Sequence, residues 1–266
     1  MQEPSASSTG RLALLPSLKL GGAWQMAIDA WMLEQRRPLL RLYRWRRATL
    51  SLGRHQRGMA PAWLELARRG RIDLVRRPSG GRAVLHGGDL TYALVWPDAA
   101  GSRVQVYHQA CGWLREAFAA LGQPLRFGRQ AAGEQPASCF ALNTAADLVH
   151  ADGAKRIGSA QHWRNGCLLQ HGSIQLEPAA ALWRELFGLE PPRLPALPVG
   201  REALVETLLA SAGRWLPLAA EGLQPVALDA DALEAIRAGV GRFQVDLASP
   251  EASIERTTPA RPSPRG

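Results

Sequence analysis

The sequence predicts an α+β protein, on three observations. Apolar runs of strand length, such as Leu39–Tyr43 and Thr49–Leu52, are interleaved with amphipathic stretches of helix length, such as Ala23–Glu34 and Val106–Leu121. Glycine-containing segments interrupt the pattern at Gly80-Gly81 and again between Gly153 and Gly158. A proline-rich segment over 190–200, EPPRLPALPVG, cannot be a helix interior or a central strand, and it separates the mixed region from two further helical stretches.

In chain order, residues 1–10 are polar and are expected to be disordered. The helix Ala23–Glu34 must end ahead of Arg36-Arg37-Pro38, where proline removes a donor and crowds the preceding turn. Leu39–Tyr43 and Thr49–Leu52 read as short strands, Trp63–Arg69 as a helix after Pro61, and Ile72–Val75 as a strand feeding the first glycine loop. Leu90–Trp96 is the strand that leaves that loop, and Val106–Leu121 is a helix stopped by Gly122, with Cys111 on its core side. A loop over 128–136 leads to Cys139 at its edge, then to a hairpin-like alternation from Asp147 to Ile157. Cys167-Leu168-Leu169 and Ser173–Leu176 flank the polar Gln170-His171-Gly172, consistent with a strand passing the site and with a buried Cys167. Arg201–Trp215 and Asp231–Val240 are helical. The domain plan is a catalytic domain over 11–189, a linker over 190–200, a small helical appendage over 201–247 and a disordered tail over 248–266.

At 266 residues and 46% hydrophobic content the chain can bury one large core. No apolar run approaches the ~20 residues of a membrane span, and the N-terminus lacks a basic stretch followed by an apolar one. A cytoplasmic protein with no membrane partner is therefore expected. Cys111, Cys139 and Cys167 form no CxxC pair, which argues against a disulfide scaffold and structural zinc. The six histidines show no HxxxH spacing, so no metal site is expected. The net charge of +9 attracts polyanions, yet the arginines are dispersed in pairs such as Arg36-Arg37, Arg46-Arg47 and Arg68-Arg69 rather than gathered in one stripe. That pattern disfavours nucleic acid and suits an acidic protein partner.

Two segments carry the candidate chemistry, RRPSGGRAVLHGGDLTY over 76–92 and GAKRIGSAQ over 153–161. Gly80 and Gly81 permit close backbone approach, so that amides can hold a developing oxyanion or a phosphate. Arg77, Ser79, Arg82 and His86 are expected to line that loop. Of the 32 basic residues only Lys19 and Lys155 are lysines. Lysine is a compact point charge with a tunable pKa, so one retained between glycines points to chemistry. Gly158, Ser159 and Gln161 are expected to shape a second loop. His86, and His171 beside Gly172, are candidates for proton transfer.

Four blocks in order resemble the catalytic-domain superfamily of biotin and lipoate protein ligases, in its branch of lipoate-protein ligase A and single-cysteine octanoyltransferases. They are QMAIDAWML (25–33), PLLRLYRWRRATLSLGRHQ (38–56), VRRPSGGRAVLHGGDLTY (75–92) and DGAKRIGSAQ with LLQHGSI (152–161, 168–174). The resemblance implies a mixed, largely antiparallel sheet flanked by helices, as in class II aminoacyl-tRNA synthetases and biotin synthetases, with an acyl chain held in an apolar tunnel. It also implies acyl transfer onto the lysine of lipoyl domains of 2-oxoacid dehydrogenases or of the glycine cleavage carrier protein. In one chemistry Cys139 takes octanoate from octanoyl-acyl carrier protein as a thioester, with no cofactor. In the other, a ligase uses ATP and Mg to form an acyl-adenylate. Cys139-Phe140 ahead of Asp147 and Gly153-Ala154-Lys155 matches the octanoyltransferase pattern, and the Lys155 ammonium would lower the pKa of the thiol. Two features depart from it. Leu142–Ala146 replaces the usual Pro-Ser and Tyr-Glu, and the spacing from Asp147 to Lys155 is about one residue longer than usual. A non-catalytic carrier-binding member, or an amidotransferase between lipoyl domains, is also compatible with these residues.

Overall fold

The computed structural model describes residues 11–128 and 147–248. Its elements are β1 (Leu12–Leu14), β2 (Lys19–Leu20), α1 (Gly22–Glu34), β3 (Leu39–Trp45), β4 (Thr49–Leu52), α2 (Pro61–Arg68), β5 (Asp73–Arg76), β6 (Val84–His86), β7 (Asp89–Trp96) and α3 (Arg103–Ala120). They continue with β8 (Arg126–Phe127), β9 (Asp147–Val149), β10 (Lys155–Arg164), β11 (Cys167–Gln175), α4 (Ala180–Phe187), α5 (Arg201–Trp215), β12 (Leu223–Pro225) and α6 (Ala230–Gly239). The expected loop over 128–136, beyond Gly128, lies outside the described residues, as do Cys139, residues 1–10 and the tail from 249.

The large sheet runs β12-β1-β3-β7-β11-β10-β9-β8, with β2 also beside β3. Its centre is antiparallel and its β12-β1-β3 edge parallel, which gives the mixed, largely antiparallel sheet expected. Helices cover both faces. Strand alternation sends Leu40, Leu42, Leu90, Tyr92, Leu94, Leu168 and Ile174 to the face covered by α3 and α5. Leu39, Tyr43, Ala93, Val95 and Leu169 turn to the other face, against Met26, Ala27 and Met32 of α1. Each large apolar side chain buried this way contributes about 1.5–3 kcal/mol. A second sheet, β5-β4-β6, is packed by Trp63 and Leu64 of α2 and Trp183 and Leu186 of α4. The glycine loop leaves this small sheet and reaches the α1 face of the large one.

Local chemistry explains the helix ends. Pro61 starts α2, where its missing N–H costs nothing. Ser102 and Gln105 form a capping box on α3, which therefore begins before the expected Val106. Residues 201–247 do not stand apart from the sheet. Leu204, Leu208 and Ala212 of α5 belong to the same apolar cluster as α3, and β12 pairs with β1.

One expectation is corrected: of the expected second loop over 153–161, only Gly153 and Ala154 lie outside a strand. Lys155–Arg164 is a ten-residue strand paired along most of its length with β11.

Candidate active site

The first glycine loop is built by its own arginine. Arg77 is buried, and its guanidinium donates to the carbonyl oxygens of Gly80 (2.7 Å), Arg82 (2.8 Å) and Ser51 (2.8 Å). Arg77, expected to line the loop, holds it through these carbonyls. In a trans peptide the N–H points opposite to the C=O, so turning the Gly80 carbonyl to Arg77 turns the Gly81 N–H away from it. Gly81 adopts a φ of 94°, which only glycine takes without strain. Gly53 lies against it: a Cβ on Gly53 would stand 1.8 Å from the Gly81 oxygen. Above Gly80 a Cβ meets nothing within 4 Å among the described residues.

Two buried hydrogen-bond relays grip the flanks of this loop. In one, Ser79 Oγ is 2.5 Å from His171 Nε2, and His171 Nδ1 is 2.8 Å from Asp29 Oδ2. In the other, Ser51 Oγ is 2.9 Å from His86 Nε2, and His86 Nδ1 is 2.8 Å from Asp89 Oδ2. A carboxylate only accepts, so each imidazole donates from Nδ1; in the neutral tautomer its Nε2 accepts from the serine hydroxyl. Asp29 is further bound by Arg41 (3.0 Å from Nε, 2.5 Å from Nη2) and Tyr43 (3.2 Å), and Gln25 also binds Arg41. Burial pushes the Asp29 carboxyl up. The Arg41 guanidinium and His171 outweigh that and hold it below the usual carboxylate range. Asp89 behaves alike: burial raises it, while His86, the Ser173 hydroxyl and the Gly87 amide bring it down. Trp45 stacks on His86 at 4.1 Å between centroids.

Lys155 forms a buried ion pair with Asp147, Nζ to Oδ1 at 2.9 Å. Its direction depends on an irregularity in β10. Strict alternation would place Lys155 on the face of Ile157, which is core. The register shift between Lys155 and Ile157 instead pairs Lys155 with Val149 and Gly158 with Asp147. Lys155, Asp147, Gly158 and His171 therefore share the α1 face of the sheet, where Ser79 and Asp29 meet.

The other candidates divide between the faces. Ser159 and Gln161, expected to shape a second loop, point to the α3 face, as does the position of Gly172. Ser159 bonds Tyr92 (2.7 Å), Gln161 bonds Gln170 (2.8 Å), and a Cβ on Gly172 would stand 2.6 Å from Ser159 Oγ and from Tyr92. The period-2 alternation of β10 and β11 separates them from Lys155 and His171. Cys111 lies on the same α3 face beside Gln170, its thiol pushed up by burial to about 12. Cys167 is likewise buried and raised to about 11. The Arg82 carbonyl is bound by Arg77, and the Arg82 side chain is half-buried.

Sequence reasoning missed Asp29, Arg41, Gln25, Tyr43, Ser51, Asp89 and Gly53. Asp29 was signalled by a lone carboxylate within an apolar helix, MAIDAWML, and Arg41 by a charge inside LLRLYRW. Among the described residues no group of three or more His, Cys, Asp or Glu is gathered to hold a metal ion, and no helix is long and apolar enough to cross a membrane.

Comparison with solved structures gives the class of the fold. A T. acidophilum protein described as a lipoate protein ligase, with bound lipoic acid, superposes at a TM-score of 0.72 and 18% identity, covering 87% of this chain and 95% of that one. A lipoate-protein ligase A bound with ATP superposes at 0.71 and 18% identity, covering 87% and 94%. At such identities the likeness shows the fold alone. The model of the lipoyl protein ligase A/B catalytic domain matches residues 22–188, and the chain belongs to that family. Among curated relatives, the octanoyltransferase LipM of Kyrpidia tusciae is 38% identical over 181 residues, covering 62% of this chain and 65% of the relative. That of Lysinibacillus sphaericus is 34% identical over 180 residues, covering 61% and 65%. The chain thus spans about 65% of the length of the curated relatives it matches.

Proposed function

We propose that this chain is an acyltransferase that moves an octanoyl group from octanoyl-acyl carrier protein onto the lysine of lipoyl carrier domains, through a thioester on Cys139. The observation that carries the reading is the 33–38% identity to octanoyltransferases over some 60% of the chain. Three features of the site are consistent with it. A Cβ on Gly80 would meet nothing within 4 Å among the described residues, and the Gly80 carbonyl is held by Arg77, as suits an oxyanion-binding loop. Lys155 is fixed by Asp147 on the same sheet face. Cys111 and Cys167 are too basic and too buried to act as nucleophiles, which leaves Cys139.

In this reading the Cys139 thiolate attacks the donor's thioester carbonyl. A C–S bond to Cys139 forms, the bond to the carrier's sulfur breaks, and the carrier leaves as its thiolate, which takes up one proton from solvent. The neutral amine of the acceptor lysine then attacks the acyl-cysteine, forms the amide and returns the thiolate, with one proton released. One thioester replaces another in the first half, so no ATP enters. Lys155 and the Gly81 amide act where negative charge develops on the carbonyl oxygen.

The test is intact-protein mass spectrometry after mixing with octanoyl-acyl carrier protein and no ATP, with peptide mapping. An octanoyl increment on Cys139 that disappears on adding a lipoyl domain supports the transferase. No adduct, with lipoyl-domain modification that requires ATP and free lipoate, makes the chain a ligase and overturns the reading.

A further inference from the structure

We infer that His171, braced by Asp29, is a positioning residue that fixes the Gly80-Gly81 loop through Ser79, without touching the substrate. The inference rests on the acyl-transfer reading for its kinetic consequence and on the relay geometry for its structural one.

Hydrogen-bond bookkeeping separates this relay from ordinary core packing. Asp29 is already neutralised by Arg41, which gives it two hydrogen bonds, and Tyr43 supplies another. The fold needs no further donor there, and burying an imidazole beside a satisfied ion pair costs desolvation. What His171 adds is direction. With Nδ1 bound to Asp29, its Nε2 is aimed at Ser79 Oγ, 2.5 Å away, and in the neutral tautomer it accepts from that hydroxyl. Ser79 is the residue immediately before Gly80, and its own carbonyl accepts from the Arg54 amide at 2.8 Å. The loop entrance is thus tied at both side chain and backbone, while Arg77 and the Ser51–His86–Asp89 relay tie the exit. The same atoms in a hydrolase would form a nucleophilic triad. Here Ser79 is completely buried, so its hydroxyl is spent on the imidazole and cannot meet a substrate.

The two ends of the imidazole can be tested separately. In His171→Gln the amide reaches the place of Nε2 and can still accept from Ser79. In His171→Asn it reaches only the place of Nδ1 and serves Asp29 alone. Both variants leave the Arg41–Asp29 pair and the His86 relay intact. The full-length protein is assayed for the rate and KM of Cys139 acylation by octanoyl-acyl carrier protein, for Tm, and for hydrogen exchange of peptides covering 77–84. The expected result is a fall in kcat on the order of 10²-fold for His171→Asn, at unchanged KM, since small misplacements of a preorganised site act on the transition state. Exchange of the loop amides should quicken in the same variant. His171→Gln should stay within a few-fold of the parent in both. Equal behaviour of the two variants, or a rate change with no change in loop exchange, overturns the inference. If both variants fail to fold, Ser79→Ala removes only the loop's bond and should reproduce the His171→Asn result, and parent-like rate and exchange in it likewise overturn the inference. A parent protein that forms no adduct sinks the acyl-transfer reading alone, because loop exchange still decides whether His171 holds the loop.

Discussion

Gly53→Ala perturbs the loop from outside the reacting groups, and its size can be worked from the structure. The new methyl would stand 1.8 Å from the Gly81 carbonyl oxygen, and that neighbour is backbone. Carbon and oxygen ordinarily approach no closer than roughly 3.3 Å, so the Gly81 peptide must retreat by about 1.5 Å. Gly53 itself has no positive φ, so alanine is not strained there. The gain from a stiffer unfolded chain is about 0.4–1 kcal/mol. Overpacking costs about 1–3 kcal/mol. The net loss, about 0–2.6 kcal/mol, lowers Tm by up to about 10 °C. Activity should fall much further, because a displacement of ~1 Å in a preorganised site costs on the order of 10²-fold. The assay is the single-turnover rate of lipoyl-domain octanoylation at 25 °C, beside a melting curve. A variant with the lowered Tm and a transfer rate within threefold of the parent would refute the assignment of Gly80-Gly81 to the reacting site.

Three further outcomes follow from buried charges and thiols. Iodoacetamide at pH 7.5 should modify Cys139 and leave Cys111 and Cys167 untouched in the folded protein, since burial holds both thiols near 11–12, and peptide mapping reads the result. Lys155→Ala should cost about 3–5 kcal/mol, because the Asp147 carboxylate stays buried without its ammonium. The double variant Lys155→Met with Asp147→Leu should recover most of that in denaturant melts without restoring transfer. Stability should fall in two stages on acidification. Burial and the Arg156 guanidinium lower the pKa of His150, which accepts from Arg156 Nε at 2.9 Å. The unfolded chain therefore takes up this proton first, and stability present above its ordinary value of 6.5 is lost as pH falls from there towards the folded value. Asp29 and Asp89, lowered in the folded state, add stability that is present above 3.8 and is lost as pH falls through their folded values. A melting profile flat from pH 7 to 5 would contradict the first stage, and His150→Gln should make it shallower, leaving the share of His162, whose pKa burial also lowers.

The glycine loop was legible in the sequence because its cause is local. Gly80-Gly81 permits a conformation that neighbouring residues alone require, and α1, α3 and α5 announce themselves by apolar periodicity and clear stops. The three short strands β1, β2 and β12 did not, since two or three residues carry no period. The relays were invisible for a different reason. His171 meets Asp29 across 142 positions and Ser79 across 92, so each reads in isolation as an ordinary polar residue.

Strand β10 presents the harder case, because its polarity hides its period. A half-buried strand normally alternates apolar with polar, but here one face carries Lys155, Gly158 and His162 while the other carries Ser159 and Gln161, bonded to Tyr92 and Gln170. With polar residues on both sides, KRIGSAQHWR reads as a loop. Even a correct strand assignment would misdirect the lysine. Alternation back from Ile157, which is core, puts Lys155 on the α3 side and Arg156 towards the site. One extra residue in the bulge reverses this and delivers Lys155 to Asp147. Arg156 is thereby committed elsewhere, with bonds to His150, to the Gln175 carbonyl and to the Pro195 carbonyl. That commitment is what holds the bulge: a cation bonded to three fixed acceptors cannot exchange places with its neighbour. The identity of the residue beside the lysine thus decides which cation lies on the α1 face of the sheet.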